Sequence, residues 1–149
     1  MTARRKKETG TGNDNGRDES RDNQFRNESG RLERLQRLRR GLTGELLAAA
    51  LLTAKGYRIL ARRHRTPYGE VDIIAVRFRR LAFVEVKRRG TWEAAEAALT
   101  THQARRIAHA AEHWVAARPR YREHDMGLDA ILVVPGRWPR HLPNVLADI

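Results

Sequence analysis

The spacing of hydrophobic residues along this chain changes between helical and strand periods. From Arg31 onward, leucines and alanines recur at steps of three, four and seven residues, which predicts a helix that ends at Gly56. Strands are predicted at residues 57–61 and in two segments within residues 69–89, with a basic loop at 62–67. A second helix over residues 99–118, a strand at 128–134 and a short edge strand complete the series. This order predicts an α/β domain with a mixed β-sheet core flanked by helices.

The N-terminal segment has a different composition. Apart from Phe25, residues 1–30 lack the large apolar side chains that a core needs. Such a segment cannot bury enough apolar surface to offset its ordering entropy. We therefore expect a disordered basic tail over residues 1–30 and a folded domain over residues 31–149. Gly41 and Gly44 weaken the first helix and allow an alternative domain boundary. In that case an Arg-rich helical arm precedes Gly41 and the folded domain follows it.

The stretch GEVDIIAVRFRRLAFVEVKRR, residues 69–89, predicts a β-hairpin. Its midpoint lies between Phe78 and Arg79, and we expect a four-residue connection because these two residues disfavour positive φ. Alternation places the apolar side chains of Val71, Ile73, Ala75, Ala82, Val84 and Val86 on one face. The other face carries two opposed charged pairs, Asp72 with Glu85 and Glu70 with Lys87.

This charged end of the hairpin predicts a cation site. Directly opposed residues have Cβ atoms about 5 Å apart, so that the carboxylates of Asp72 and Glu85 would repel each other. Mg²⁺ prefers oxygen ligands and keeps several waters, so two carboxylates and a backbone carbonyl would suffice. Salt-bridged strand ends exposed to solvent are the alternative. Glu45 lies on or beside the apolar stripe of the first helix, either solvated or directed into the domain.

Composition narrows the classes of partner. A net charge of +12 and a pI of about 11.3 favour a polyanion, either nucleic acid or an anionic membrane surface. A basic protein without such a partner is the alternative. The chain has no cysteine, which excludes disulfides, thiolate nucleophiles and Cys-ligated zinc. The apolar run 46–52 is too short to span a bilayer and no targeting segment is convincing, so we expect a cytoplasmic protein.

Histidines offer a competing metal site on the second predicted helix. His109 and His113 are four residues apart, which is the spacing of a helical ligand pair. Together with His102, however, they lie opposite the stripe that contains Ile107 and Trp114. We therefore expect these histidines to face solvent.

The residues with candidate chemistry also resemble a known family. The blocks GEVD (69–72) and FVEVK (83–87), with Glu45 upstream, are similar to the PD-(D/E)XK arrangement of restriction endonucleases and archaeal Holliday junction resolvases. The proline that names this motif is absent. From residue 41 to the C-terminus the chain more closely resembles the YraN family of bacterial proteins, with further matches at Gly44-Glu45, Gly56-Tyr57, Arg89 and Leu128-Asp129.

This resemblance implies a restriction-endonuclease-like fold and a structure-selective DNA endonuclease that depends on Mg²⁺ or Mn²⁺. Asp72 and Glu85 would hold the metal together with the carbonyl of Val86. Lys87 would orient or deprotonate the attacking water. Glu45 would complete the cluster from the first helix.

The resemblance and the charge also give roles to residues around this cluster. Gln103 stands where many family members have Lys and is expected to contact the site or a phosphate, while Glu70 and Asp129 are accessory, with a structural role expected for Asp129. Arginines near the cluster would bind backbone phosphates without reading bases: Arg62, Arg63, Arg65, Arg88 and Arg89.

The expected partner is DNA rather than RNA, with no membrane. Resolvases of this fold act as dimers, which leaves a homodimer open. The alternative function is a non-catalytic DNA-binding module, or an adaptor, that retains the nuclease fold.

Overall fold

Helix α1 (Asp18–Ala54) is the first element of the computed structural model, which describes the backbone of residues 18–149 and the side chains of 27–38 and 43–149. Residues 18–30, assigned above to a disordered tail, are therefore helical, because a shortage of apolar side chains excludes a packed core but not a helix. Residues 1–17 lie outside the described residues, and disorder there stays a prediction. Internal contacts divide the chain into residues 1–38 and 39–149, close to the alternative boundary at Gly41.

Five strands form one mixed sheet in the order β1-β2-β3-β4-β5. The pairs β1–β2, β2–β3 and β4–β5 are antiparallel, whereas β3–β4 is parallel. The predicted mixed α/β fold is thus confirmed, and it is consistent with a restriction-endonuclease-like fold. The strands are β1 (Arg58–Thr66), β2 (Gly69–Arg77), β3 (Arg80–Arg88), β4 (Asp125–Val133) and β5 (Arg140–Leu142).

Strand β1 extends through the segment that the sequence analysis took for a basic loop. It pairs with β2 as far as Thr66 and Gly69, and this pairing outweighs the weak strand preference of its charged residues.

Two helices connect β3 to β4, where the sequence predicted one. Helix α2 (Trp92–Ala97) is too short to show helical periodicity and was missed. Helix α3 (Thr101–Ala116) follows, and Pro119 begins a 3₁₀ turn soon after its end. Threonines cap both helices: the Thr91 side chain accepts a hydrogen bond from the Ala94 N–H, and Thr100 does the same for Gln103.

The β2–β3 hairpin has the predicted register, with Ile74 opposite Phe83. Its connection differs from the prediction: Arg77 pairs with Arg80, so only two residues form the turn. Phe78 therefore adopts a φ of 52°. The strand pairing on both sides of the turn outweighs the local preference of Phe78 for negative φ.

Hydrophobic clusters cover both faces of the sheet. On one face, Ile74 and Phe83 pack with Ile107 and Trp114 of α3, as the predicted stripe required. On the other face, Ile73, Ala75, Ala82, Val84 and Ile131 pack with Ala48 and Leu52 of α1. Val71 belongs to the α3-side cluster, contrary to strict alternation. Val71 pairs with His64 of β1, whereas the β2–β3 ladder begins only at Ile73 and Val84.

No helix within the described residues is long and apolar enough to cross a bilayer. This result agrees with the short apolar run seen in the sequence.

Candidate active site

The strands β2 and β3 bring Asp72 and Glu85 together. Beyond the last ladder pair, the N–H of Val86 donates a hydrogen bond of 2.7 Å to Asp72 Oδ2. This bond replaces a ladder contact and ties the side chain of Asp72 to the backbone that follows Glu85. Glu85 itself is only 5% exposed. Two acidic side chains therefore share one largely buried position.

Lys87 is held between β3 and α3. Its Nζ donates to Glu85 Oε1 over 2.6 Å. With the Gln103 amide oriented to satisfy both of its ends, Gln103 Oε1 accepts from Lys87 Nζ (2.7 Å) and Nε2 donates to the Ala98 carbonyl (2.8 Å). Gln103 thus contacts the predicted site through Lys87. Because both acceptors are fixed, the ammonium group has a defined position.

Glu70 does not take part in this arrangement. Its carboxylate lies 3.6 Å from Arg65 Nε and is partly exposed, rather than opposite Lys87 as predicted. The predicted pair is absent because the β2–β3 ladder does not reach these residues.

Glu85 has one oxygen without a hydrogen-bond partner. Its Oε2 is buried, and Arg106 Nη2 lies 3.6 Å away, too far for a hydrogen bond. Arg106 Nε is also buried without a partner. The sequence analysis missed Arg106, which lies on the half-buried side of α3. A carboxylate oxygen left in this state is one that an additional cation could bind.

Gly69 is the sequence feature that could have indicated the position of the Arg106 side chain. Gly69 has a φ of 127°, and a Cβ there would come within 2.5 Å of Arg106 Cδ. The glycine of the GEVD block therefore leaves room for this arginine. The sequence shows the glycine but not the side chain that fills the space.

The surroundings of Asp72 strongly raise its pKa. Burial, and then the charge of Glu85, raise the pKa of Asp72 to about 7. The charge of Glu45 acts in the same direction, whereas the Val86 N–H and Lys87 lower the pKa. A group that is ionised only near neutrality is unusual for an aspartate and typical of functional sites.

Glu45 reaches the domain from α1. It is buried, and its two oxygens accept hydrogen bonds from Arg63 Nε at 3.2 Å and 2.8 Å. Of the two readings left open by the sequence, the structure favours the carboxylate directed into the domain. Arg63 has a φ of 49° and is held by this ion pair, so its predicted phosphate contact would have to coexist with Glu45.

The donor set fits a divalent cation in part. Asp72 and Glu85 supply carboxylates, one oxygen is unpartnered, and the pKa of Asp72 is raised by burial first and by the charge of Glu85 second. Among the described residues, no three acidic or histidine side chains are close enough to hold a metal between them. A cation here would therefore also need the Val86 carbonyl and several waters, which is a usual arrangement for Mg²⁺.

Arginines lie on the strands that carry the site. Arg62 and Arg65 are exposed on β1, and Arg89 is exposed just after β3. Arg88 ends β3, is half-buried and packs beside Gly44.

Asp129 forms a separate network. It pairs with Val84 across the parallel strands, and Val84 belongs to the α1-side cluster, on the face away from Glu85. Arg80 donates two hydrogen bonds to its carboxylate, at 2.8 and 2.7 Å, and the Asn144 N–H donates a third. The carboxylate also lies 2.7 Å from His141 Nε2.

These contacts determine the charge state of Asp129. Its burial would raise the pKa, but the bonds from Arg80, His141 and Asn144 outweigh burial and lower the pKa to about 2. The network joins β3, β4 and the C-terminal segment. The histidines of α3 that could have formed a rival site, His102, His109 and His113, are exposed as expected.

Comparison with known proteins places the chain in a family. The profile of the uncharacterised protein family UPF0102 matches residues 44–133. The chain belongs to this family. The matched region contains the whole candidate site, from Glu45 to Arg106, and the resemblance to YraN proteins noted in the sequence is confirmed.

Curated UPF0102 relatives share about half of the aligned residues. The UPF0102 protein of Rhodopseudomonas palustris (strain BisB5) is 51% identical over 111 residues, covering 74% of this chain and 85% of the relative. That of Nitrobacter winogradskyi is 54% identical over 102 residues, covering 68% and 86%. The relative from Parvibaculum lavamentivorans is 49% identical over 106 residues, covering 71% and 80%. The names of these relatives state a family but no activity.

Proposed function

We propose that this UPF0102 protein is a Mg²⁺-dependent DNA endonuclease that selects its substrate by shape. One observation supports this most directly: Asp72, Glu85 and Lys87 meet on a rigid sheet, with Glu85 Oε2 buried and unpartnered. Clustered carboxylates beside a lysine have no evident use in a protein that only binds phosphate, since they would repel it.

The carboxylates would hold the cation together with the Val86 carbonyl. When bound, Mg²⁺ would polarise a phosphoryl oxygen and lower the pKa of a water. The raised pKa of Asp72 means that its ionised form is disfavoured without a nearby positive charge. A bound cation would supply this charge and favour the ionised form.

Lys87 is suited to position the attacking water. An ammonium group has three N–H donors, and here two of them are directed at Glu85 Oε1 and Gln103 Oε1. The third remains for a water or a phosphate oxygen. Because the other two contacts fix the group, this donor has a defined direction.

Surrounding arginines would supply affinity without sequence selectivity. Arg62, Arg65, Arg88 and Arg89 are suited to phosphate contacts, which fix the position of a duplex but do not read bases. The net charge of +12 favours any nucleic acid. Selection would then depend on the shape of DNA, such as a branch, flap or end.

A non-catalytic DNA-binding module is the second candidate. It is favoured by one observation: Glu85 Oε1 and Asp72 Oδ2 already accept hydrogen bonds from Lys87 and from the Val86 N–H. In that case the carboxylates would be structural.

Calorimetric titration of Mg²⁺ and Mn²⁺ separates the two candidates. Wild type should bind the ion and cut one member of a labelled branched-DNA panel, whereas Asp72→Asn should do neither. Glu70→Gln is the matched control, since it removes a carboxylate from the same strand outside the cluster. If wild type binds DNA but no divalent ion, the binding module is the better account.

A further inference from the structure

A basic cavity lies at the opposite end of the hairpin from the carboxylates. It has a volume of about 580 Å³ and lies beside the turn at Phe78. Phe78 directly follows β2 and is six residues from Asp72, or roughly 20 Å at about 3.3 Å per residue. Its lining comes from three segments of the chain and contains four cationic side chains and one histidine, namely Lys55, Arg58, Arg77, Arg120 and His124.

No acidic residue is among the described residues that line this cavity. Glu123 and Asp125 flank His124 in sequence but do not line it. Arg58 and Arg120 form no ion pair within the part of the chain that the structure describes, although Arg120 lies over the ring of Tyr121. Concentrated positive charge without internal compensation attracts an anionic ligand.

Two further contacts give the cavity a defined shape. Arg77 Nη1 donates to the Lys55 carbonyl (2.9 Å), and its guanidinium lies 4.9 Å from the centre of the Tyr57 ring. The Nδ1 atom of His124 is buried and has no partner among the described residues. The lining thus offers several donors, which suits a ligand that carries acceptor oxygens, such as a phosphodiester.

Phe78 stands at the edge of this cavity with its ring in solvent. Its side chain contributes little to the core, because the residue is 92% exposed. Its φ of 52° is unfavourable for an aromatic residue. An exposed aromatic ring beside a basic groove is the arrangement on which single-stranded nucleic acids stack their bases.

We propose that this cavity binds the phosphate backbone of an unpaired nucleic-acid strand, with one base stacked on Phe78. The inference deepens the proposed function, and it rests on that function only for the use of the strand in cleavage. A second contact roughly 20 Å from the carboxylates would favour substrates in which an unpaired strand lies beside a duplex.

Binding of a short fluorescein-labelled oligothymidylate, followed by anisotropy in EDTA, tests this proposal. Arg58→Gln with Arg120→Gln should weaken binding and reduce the slope of log K against log salt by about 1.4, or about 0.7 per phosphate contact. Phe78→Asn, which tolerates positive φ, should weaken binding at least about fivefold without changing the slope. Arg105→Gln, an exposed position on α3, is the control for loss of charge.

Equal losses in Arg105→Gln and in the cavity variants would overturn the proposal, as would unchanged binding in Phe78→Asn. Binding of duplex DNA with the same dependence on Phe78 would also contradict an unpaired strand as the ligand. EDTA removes the contribution of a divalent ion at the carboxylates. Cavity-dependent binding in EDTA, together with no cleavage of the branched-DNA panel when Mg²⁺ or Mn²⁺ is supplied, would therefore refute the endonuclease and leave this site standing.

Discussion

Replacing Asp72 by asparagine should stabilise the metal-free protein at alkaline pH. The side chain lies in a largely buried position next to Glu85, and its ionised form is disfavoured there. Asparagine keeps an oxygen that can accept the 2.7 Å hydrogen bond from the Val86 N–H. The substitution therefore removes the charge and leaves the geometry nearly unchanged.

The pKa of Asp72 sets the size of this effect. Burial and the charge of Glu85 raise it from 3.8 to about 7, and each pKa unit corresponds to about 1.4 kcal/mol. The folded state keeps a proton that the unfolded state has lost, so stability falls as pH rises between these two values. The full penalty, at most about 4 kcal/mol, applies above pH 7, and about 3 kcal/mol of it develops between pH 5 and pH 8.

Thermal unfolding in EDTA measures this difference. The melting temperature of Asp72→Asn should exceed that of wild type by about 10 °C more at pH 8 than at pH 5, at about 4 °C per kcal/mol. Glu70→Gln should show no such increase, because its carboxylate is partly exposed. Mg²⁺ at pH 8 should stabilise wild type and not Asp72→Asn. A difference that does not change with pH would refute the raised pKa of Asp72.

Three other substitutions test separate parts of the structure. Asp129→Asn should cost about 2 kcal/mol of unfolding free energy at neutral pH, and this cost should vanish as pH falls from about 4 towards 2; urea unfolding measures it. Gly69→Ala should destabilise by about 1–3 kcal/mol, and by less in an Arg106→Ala background, which a double-mutant cycle would detect. Lys87→Ala should cost about 3 kcal/mol because it leaves the buried Glu85 carboxylate unpaired, and equal stability of variant and wild type in urea would contradict this.

The hairpin register was predictable because two apolar runs and one polar midpoint leave few ways to pair. Ile74 faces Phe83 as expected. What the sequence could not show is where the ladder ends, since that depends on how the strands diverge in the folded domain. For this reason the predicted meeting of Glu70 with Lys87 failed, while that of Asp72 with Glu85 survived through a hydrogen bond to Val86.

Tertiary packing also determines the features that the sequence analysis missed. Arg106 lies in a helix whose apolar stripe was correctly identified, but its approach to Glu85 depends on how α3 crosses the sheet. Helix α2 is too short for a periodic pattern. At Phe78, the local preference for negative φ predicted a four-residue connection. This prediction was wrong because the pairing of the strands on both sides overrides that preference.

Strand β1 forms one outer edge of the sheet and carries four arginines in its nine residues. An open sheet edge can add a strand from another molecule, and like charges oppose this addition. A polyanion that covers these arginines would remove the repulsion between copies. Complexes with such a polyanion should therefore be least soluble near charge neutrality, and an excess of the polyanion should dissolve them again.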